Sequence, residues 1–263
     1  MDVRGARVLL TGATGGIGQA LALAFAERGA RLVLTGRRTD VLEPLAERVG
    51  GEAVAADLAD RRAAEALLDR VGEIDVLIAN AALPASGELS GFTVEQIDRA
   101  LDVNLRAPIV LARQAGAAMA ERGRGHLVFI SSLAGKSASA GASLYNATKF
   151  GMRGFALALR EELRPHGVGV STVFPGFIRD AGMFADAGVT LPRGIGTRSP
   201  EDVARATLHA VERNRAEVDV APLALRAGAL IAQLSPGLNA WAQRRAGGTR
   251  ITAALAEGQR DKR

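Results

Sequence analysis

The amino-acid sequence predicts an α/β fold of the doubly wound type, with a single parallel seven-stranded sheet that carries helices on both faces. Short apolar runs alternate along the chain with segments of helical periodicity. The loops between these segments are short, and repeated βα units joined in this way require parallel strands. No proline- or serine-rich linker divides the 263 residues. We therefore interpret residues 1–263 as one domain.

The predicted elements follow one another in a regular order. The apolar runs that predict strands span 6–12, 30–36, 51–58, 74–82, 125–132, 167–176 and 216–222. Helical periodicity predicts helices over 16–29, 40–50, 61–72, 93–122, 143–164 and 199–214, the last with Ser199 as its N-cap and Pro200 in its first turn. Ligands of a doubly wound sheet bind beyond the carboxyl ends of its strands. The residues just after each strand therefore form the candidate site.

Composition excludes several other classes of protein. Charged residues make up 23% of the chain and hydrophobic residues 48%, which is ordinary for a soluble globular protein. The sequence contains no uncharged apolar run long enough to predict a membrane-spanning helix. The N-terminal segment lacks the pattern of a secretory signal, so a cytoplasmic location is the expectation. The absence of cysteine excludes disulfides and thiolate metal sites, and no bound metal is expected.

The basic charge balance raises the alternative of a nucleic-acid partner. The net charge is +5 and the pI is about 10.5. However, the arginines are spread along the chain with acidic residues among them, as on solvated helix faces, and aromatic residues make up only 4%. A nucleic-acid site would combine a basic run with interleaved aromatic side chains. No nucleic-acid partner is therefore expected.

A glycine-rich turn follows the first predicted strand and opens the first predicted helix. It reads TGATGGIG over residues 11–18. Such a turn tolerates positive φ, lets a pyrophosphate approach the backbone, and presents free N–H groups at the positive end of a helix dipole. In this strand–turn–helix setting it predicts a dinucleotide site of the Rossmann type, formed by Gly12, Thr14, Gly16, Ile17 and Gly18.

The residues after the second strand bear on the type of dinucleotide. They read TGRR, where Gly36 leaves space and Arg37 and Arg38 offer bidentate donors to a 2′-phosphate. An NAD enzyme usually has a carboxylate here, which would hold the ribose hydroxyls. This favours NADP(H) over NAD(H), although NAD(H) stays possible if both arginines are merely solvated in a loop.

The segment SLYNATKF, residues 143–150, contains the only tyrosine of the chain, Tyr145, four residues before Lys149, one of three lysines. On a helix these two side chains share a face. An ammonium beside a phenol favours the phenolate and lowers the phenol's pKa, which makes it useful in acid–base catalysis. The fifth strand ends in Ser131 and Ser132, whose hydroxyls suit a substrate carbonyl oxygen. The alternative is a Tyr–Lys pair on an exposed helix.

Seven short motifs, taken together, resemble the short-chain dehydrogenases/reductases over about residues 5–220. They are TGATGGIG at 11–18, ADL at 56–58, IANAA at 78–82, DVNL at 102–105, ISSLAG at 130–135, YNATK at 145–149 and FPG at 174–176. They follow the order and spacing of the family. Each motif alone is weak or moderate in specificity, whereas seven in order are specific.

The resemblance implies four catalytic residues. Tyr145 would be the general acid in reduction and the base in oxidation. Lys149 would lower the pKa of Tyr145 and hold the nicotinamide ribose. Ser132 would orient and polarise the substrate carbonyl, with Ser131 as the neighbouring alternative. Asn104 would bend its helix and position a water that relays protons through Lys149.

The resemblance also implies cofactor contacts and an activity. The side chain of Asp57 and the backbone of Leu58 would bracket the adenine, and Asn80 would tie the central strands together near the cofactor. Further contacts would come from Pro175, Gly176 and the backbone of Ile178. The expected protein is an NADP(H)-dependent oxidoreductase that moves hydride between the nicotinamide and a carbonyl or secondary alcohol, as a homodimer or homotetramer. The alternative, a dinucleotide-binding regulator or scaffold without turnover, is disfavoured by the intact catalytic residues.

The chain departs from the family pattern at several positions. Ala79 stands where the family usually has asparagine, and Ala82 replaces a glycine; both changes are local. Asp180 stands where a threonine usually contacts the nicotinamide carboxamide, which puts that contact in doubt. Gly15 replaces the usual basic residue of the glycine turn, so the NADP preference depends mainly on Arg37 and Arg38.

One further segment bears on the substrate. Residues 177–199 lack periodicity and correspond to the substrate lid of the family, where an apolar pocket is suggested by Phe177, Met183, Phe184, Val189 and Leu191. This favours a lipophilic ketone or alcohol.

The C-terminal extension, 221–263, begins with a helical pattern that Pro236 breaks. One side of the pattern carries Leu223, Leu230, Ile231, Leu234 and Trp241, and arginines follow at 244, 245 and 250. The segment packs on the substrate cleft, joins subunits or lies on a membrane surface. Core packing or a subunit contact is the preferred interpretation.

Overall fold

Seven parallel strands form one sheet in the order β3-β2-β1-β4-β5-β6-β7 in the computed structural model, which describes residues 1–189, 196–245 and 248–259. The strands are β1 (Arg7–Thr11), β2 (Arg31–Thr35), β3 (Glu52–Ala53), β4 (Val76–Ala79), β5 (Gly125–Ile130), β6 (Val168–Pro175) and β7 (Glu217–Val220). The strand order reverses between β1 and β4, which is where a doubly wound sheet binds its ligand.

Helices connect the strands and extend the chain beyond the sheet. They are α1 (Gly16–Glu27), α2 (Thr39–Val49), α3 (Arg61–Glu65), α4 (Leu67–Val71), α5 (Val94–Leu101), α6 (Ala107–Glu121), α7 (Ser143–Leu163), α8 (Met183–Asp186), α9 (Pro200–Glu212), α10 (Leu223–Leu234), α11 (Pro236–Arg245) and α12 (Gly248–Gly258). Within the ranges that the structure describes, no helix is both long and apolar enough to cross a membrane.

The core consists of one apolar layer on each face of the sheet. Successive side chains of a strand point to opposite faces. Val8 and Leu10 of β1 accordingly pack with one layer, which includes side chains of α1, α2 and α9. Leu9, between them, packs with the other layer, which includes side chains of α4, α6 and α7. The prediction of a parallel seven-stranded sheet covered on both faces is confirmed.

Three predicted elements differ from the structure. The strand predicted over 51–58 is reduced to Glu52–Ala53, because this edge segment pairs only with β2 and then follows it through two single bonds, from Val54 N to Leu34 O and from Ala56 N to Gly36 O. The helix predicted over 61–72 is divided into α3 and α4 at Ala66, whose ψ of −3° interrupts the α-helical path. The long helix predicted over 93–122 contains a π-helical turn at Asp102–Arg106, between α5 and α6.

Candidate active site

A cavity of about 1290 Å³ opens beyond the carboxyl ends of the strands. It brings together residues that follow β1, β2, β4, β5 and β6, together with side chains of α7. Among its lining residues are Gly12, Thr14, Gly16, Ile17, Gly18, Arg37, Arg38, Asp57, Leu58, Asn80, Ser131, Ser132, Tyr145, Lys149, Pro175, Gly176 and Ile178. Of the predicted catalytic and cofactor-binding residues, Asn104 alone does not line this cavity.

Gly12 shows why the first turn requires glycine. Its φ is 64°, and a Cβ placed on it would lie 2.7 Å from the Cα of Ala81 in the segment after β4. That segment is held close because Asn80 Nδ2 donates to the carbonyl oxygens of Thr11 (3.0 Å) and Gly12 (3.1 Å). The ends of β1 and β4 are thereby tied together, and the turn presents bare backbone to the cavity.

The start of α1 suits an anion. The helix begins at Gly16 and has no acidic residue in its first turn. Its first N–H groups and the positive end of its dipole therefore face the cavity without a competing carboxylate. A Cβ on Gly16 would lie 2.1 Å from the Cβ of Ala181, so the lid segment after β6 crosses directly over this turn. Asp180, next to Ala181, also lines the cavity and has a φ of 68°.

The two arginines after β2 lie at the rim of the same turn. Arg38 Nη2 donates to the carbonyl oxygen of Thr14 at 2.5 Å, and Arg37 Nη1 lies 4.0 Å from Asp57 Oδ2. A Cβ on Gly36 would lie 3.0 Å from Thr14 Cγ2, so the approach to the turn stays narrow even with glycine. Two guanidinium groups thus border the adenosine end of the predicted dinucleotide site.

Tyr145 and Lys149 share a face of α7, as their spacing predicts. The ammonium nitrogen of Lys149 lies 5.6 Å from the centroid of the Tyr145 ring. It also donates to the carbonyl oxygen of Ile130 at the end of β5, over 3.3 Å. The Lys149 side chain is buried, and burial lowers its pKa from 10.5 to about 8, because it disfavours the charged form.

The pKa of Tyr145 is raised in this structure, and Lys149 is not among the causes of the shift. The lowering expected from Lys149 therefore stays a prediction. Burial is the main cause of the raised pKa, since the ring packs with a small apolar cluster that includes Ala85, Ala100 and Leu144. A hydrogen bond with Ser132 opposes the effect of burial. The phenol therefore stays protonated at neutral pH, as a general acid requires.

The structure distinguishes between the two serines at the end of β5. Ser131 is buried, and its hydroxyl donates to the carbonyl oxygen of Lys149 at 3.4 Å. Ser132 is half-buried, hydrogen-bonds with Tyr145, and accepts a bond from Ala134 N at 3.1 Å. Because the Ala134 bond uses Ser132 as an acceptor, its O–H can donate toward the cavity.

Asn104 lies in the π-helical turn, where the family resemblance implies a bend, but its side chain forms hydrogen bonds outside the cavity. Its Oδ1 accepts from Leu83 N at 2.6 Å and its Nδ2 donates to Leu83 O at 2.9 Å. The residue is buried and does not line the cavity. Its role in a proton relay through Lys149 stays a prediction.

Lys136 is a supporting residue that sequence reasoning missed. It follows the short 3₁₀ turn after Ser132, and it is buried. Its ammonium lies 2.7 Å from Asp219 Oδ1 and 3.0 Å from Glu217 Oε2, both on β7, and 4.0 Å from the centroid of the Phe174 ring. This partly buried ion cluster links the segment after Ser132 to the sheet.

The remainder of the cavity is largely apolar and is closed by the lid and the C-terminal helices. The rings of Phe177 and Phe184 lie 5.0 Å apart, centroid to centroid, and both line the cavity with Met183. Val189 does not line it, and the predicted Leu191 lies outside the described residues. The C-terminal helices add Ala224, Leu225, Gly228, Ala229, Asn239, Thr252, Leu255 and Gln259 to the lining.

Gln259, just after α12, is a polar residue of this wall that no sequence pattern predicts. It is buried, and its Nε2 donates to the carbonyl oxygen of Met183 at 2.9 Å. Its Oε1 has no hydrogen-bond partner within the described residues. The spacing of Ile251 and Leu255 is a weak signal for α12, but no sequence signal places Gln259 at the lid.

The chain is similar to known proteins over most of its length. The family model described as short chain dehydrogenase matches residues 6–190. Ketoacyl reductase HetN of Nostoc sp. is 37% identical over 225 residues, which cover 82% of this chain and 78% of that protein.

Solved structures agree with this match. A short-chain dehydrogenase from Sphingobium yanoikuyae, in complex with NADPH, is 33% identical with a TM-score of 0.77, over 89% of this chain and 94% of that one. The bulky-bulky ketone specific alcohol dehydrogenase from Comamonas testosteroni is 28% identical with a TM-score of 0.76, over 89% and 93% of the two chains. The chain therefore belongs to the short-chain dehydrogenase/reductase family and is an NAD(P)-dependent oxidoreductase of alcohol and carbonyl groups.

Proposed function

We propose that this oxidoreductase is an NADP(H)-dependent reductase of bulky, lipophilic ketones. The observation that carries the proposal is that Tyr145, Ser132 and Lys149 line one cavity together with the glycine turn and the apolar lid. The similarity to an NADPH-bound dehydrogenase and to an enzyme specific for bulky ketones supports both parts of it.

The residues present fit a dinucleotide with a 2′-phosphate. Gly12 leaves bare backbone at the turn, and α1 begins there without an acidic residue in its first turn. Arg37 and Arg38 supply positive charge where the adenosine ribose would lie, and a phosphate dianion would compete with Asp57 for Arg37. When bound, the nicotinamide supplies the hydride for reduction of the substrate carbon.

Tyr145 acts as the general acid of the reduction. Because burial raises its pKa, the phenol holds its proton at neutral pH until negative charge develops on the carbonyl oxygen. Ser132 donates its O–H to the same oxygen, since its Oγ already accepts from Ala134 N. Two donors directed at one oxygen stabilise the charge that develops in the transition state.

Lys149 stabilises the Tyr145 phenolate that the proton transfer produces. Transfer from Tyr145 creates a phenolate, and the Lys149 nitrogen lies 5.6 Å from the centre of that ring. With a pKa of about 8, the side chain is mainly an ammonium at neutral pH. The buried cation lowers the energy of the phenolate more than it would in water.

Reduction of ketones of graded size tests the proposal. The purified protein is mixed with NADPH or NADH, and oxidation of the nicotinamide is followed by absorbance with acetone, cyclohexanone and a diaryl ketone. We expect faster turnover with NADPH than with NADH, and higher kcat/KM for the diaryl ketone than for acetone. Preference for NADH or for small polar ketones would refute the cofactor or substrate assignment. Binding of NADPH with no turnover of any substrate would favour the regulator.

The subunit number and the cytoplasmic location stay predictions. Phe150 and Leu157 lie seven residues apart on α7, hence on one helix face, and both are exposed. This apolar face supports a contact between copies in a homodimer or homotetramer. Sedimentation velocity of the wild type and of Leu157→Glu tests it, since the variant should dissociate.

A further inference from the structure

The C-terminal helices expose an unusual amount of apolar surface. Six of the eleven exposed large hydrophobic side chains of the described residues lie within α10 and α11, and the most exposed are Leu234 at 79% and Leu223 at 76%. We call these six side chains the C-terminal apolar face: Leu223, Leu230, Ile231, Leu234, Leu238 and Trp241. The interpretation that this segment's apolar side packs into the core is therefore wrong.

Helix α10 has its large apolar side chains on the outer face and its small side chains on the inner face. Leu223, Leu230 and Leu234 recur at the spacing of one helix face and point away from the protein. Ala229 and Ala232 are buried on the other side, where small side chains let the helix lie close to the body of the protein. Small residues face inward and large apolar residues outward, the reverse of an ordinary surface helix.

The charged side chains within residues 221–256 all have one sign. Residues 221–256 contain four arginines and no aspartate or glutamate, although the whole chain has 28 acidic residues. Arg226, Arg244 and Arg245 are exposed. The Arg245 guanidinium lies 4.9 Å from the ring centroid of Trp241, the only tryptophan of the chain. Leucine, tryptophan and arginine on one surface are the composition of helices that lie in the boundary layer of an anionic membrane.

A second copy of the chain fits this face less well. A two-fold contact brings the same surface of each copy together. It would place the arginines of α10 and α11 against their counterparts, and these two helices offer no carboxylate to pair with them. Anionic lipid headgroups supply the missing negative charge, and the acyl region receives the leucines.

We propose that the C-terminal apolar face docks the protein on the surface of an anionic lipid membrane. Neither helix crosses the bilayer, since α10 has 12 residues and α11 has 10. The docked helices also form part of the cavity wall through Leu225, Ala229 and Asn239. If the proposed function holds, the membrane therefore lies beside the substrate site, and a lipophilic ketone reaches it from the lipid phase.

Sedimentation with vesicles tests the docking without reference to activity. The full chain is mixed with vesicles of phosphatidylcholine alone or of phosphatidylcholine with phosphatidylglycerol, and the bound fraction is measured at low and high salt. We expect binding to the anionic vesicles only, weakened by salt. Leu234→Glu and Trp241→Glu should each reduce the partition coefficient at least tenfold, and removal of Arg244 or Arg245 about fivefold for each charge.

Val94→Glu is the matched control, because Val94 is an exposed apolar residue on α5, outside the C-terminal apolar face. It should bind vesicles like the wild type. The docking proposal is overturned if the wild type does not bind anionic vesicles at low salt. It is also overturned if Leu234→Glu and Val94→Glu bind anionic vesicles equally well. If Leu234→Glu leaves vesicle binding unchanged but alters the sedimentation coefficient of the protein without vesicles, the occupant of the face is a second copy, and the docking proposal is overturned as well. Turnover of cyclohexanone without vesicles should be equal in all these variants, so a failure of the proposed reductase would appear separately.

Discussion

Replacement of Lys149 by methionine should stabilise the protein at neutral pH while it removes activity. The Lys149 side chain is buried, and no carboxylate is among the causes of its pKa shift, which is due to burial alone. A pKa lowered from 10.5 to about 8 corresponds to a cost of about 3 kcal/mol for the buried ammonium. Methionine has a similar length and no charge, so it avoids this cost, although the bond to Ile130 O is lost.

The pH dependence of the free energy of unfolding separates the ionisation cost of Lys149 from the other effects of the substitution. Below the folded pKa both states carry the proton, and the folded protein bears the full cost. Between pH 8 and 10.5 the unfolded chain still binds the proton that the folded state has released, so the stability of the wild type rises with pH. The stability difference between variant and wild type should therefore shrink by about 2 kcal/mol from pH 7 to pH 10.

Urea unfolding of both proteins at a series of pH values measures this difference directly, with circular dichroism as the signal. A difference that stays constant with pH would show that Lys149 carries no ionisation cost. A wild type that is more stable than the variant at pH 7, with its advantage vanishing at pH 10, would show that the ammonium is stabilised by a partner. Either result would refute the assignment of its pKa shift to burial.

Three other substitutions have distinct expected outcomes. Lys136→Met should destabilise the protein by about 3 kcal/mol in urea unfolding, because it leaves the carboxylate of Asp219 without its buried cation and removes one of the two cations that Glu217 contacts; unchanged stability would contradict this account. Arg37→Ala should weaken NADPH binding about tenfold more than NADH binding in fluorescence titrations, and equal losses would exclude a 2′-phosphate contact. Asp180→Thr should strengthen NADPH binding at low salt and have little effect at high salt, because it removes a negative charge beside the glycine turn; weaker binding would show that the carboxylate has a favourable role.

The sequence predicts the sheet and the catalytic residues at the strand ends well, because both depend on local patterns. An apolar run followed by glycine predicts a buried strand and the turn after it, and the parallel fold then brings the strand ends together. The four-residue spacing of Tyr145 and Lys149 determines their shared face on any helix. Asn80 and Ser132 follow directly from the ends of β4 and β5.

Features that depend on distant packing could not be predicted in this way. The direction of the Tyr145 pKa shift depends on burial by side chains from other elements, such as Ala85 and Ala100, which outweighs the hydrogen bond with Ser132. Gln259 reaches the lid only because α12 folds back over the cavity. A helical pattern such as that of α10 shows which residues share a face, but not whether that face is covered.

Turnover by Tyr145→Phe tests the central claim most directly, because this change removes a single oxygen from the reacting face of the cavity. NADPH binding, measured by fluorescence, serves as the control that the site remains folded. We predict that kcat for ketone reduction falls by about three orders of magnitude while the NADPH dissociation constant stays close to the wild-type value. Ketone reduction at a rate near that of the wild type would show that another group supplies the proton.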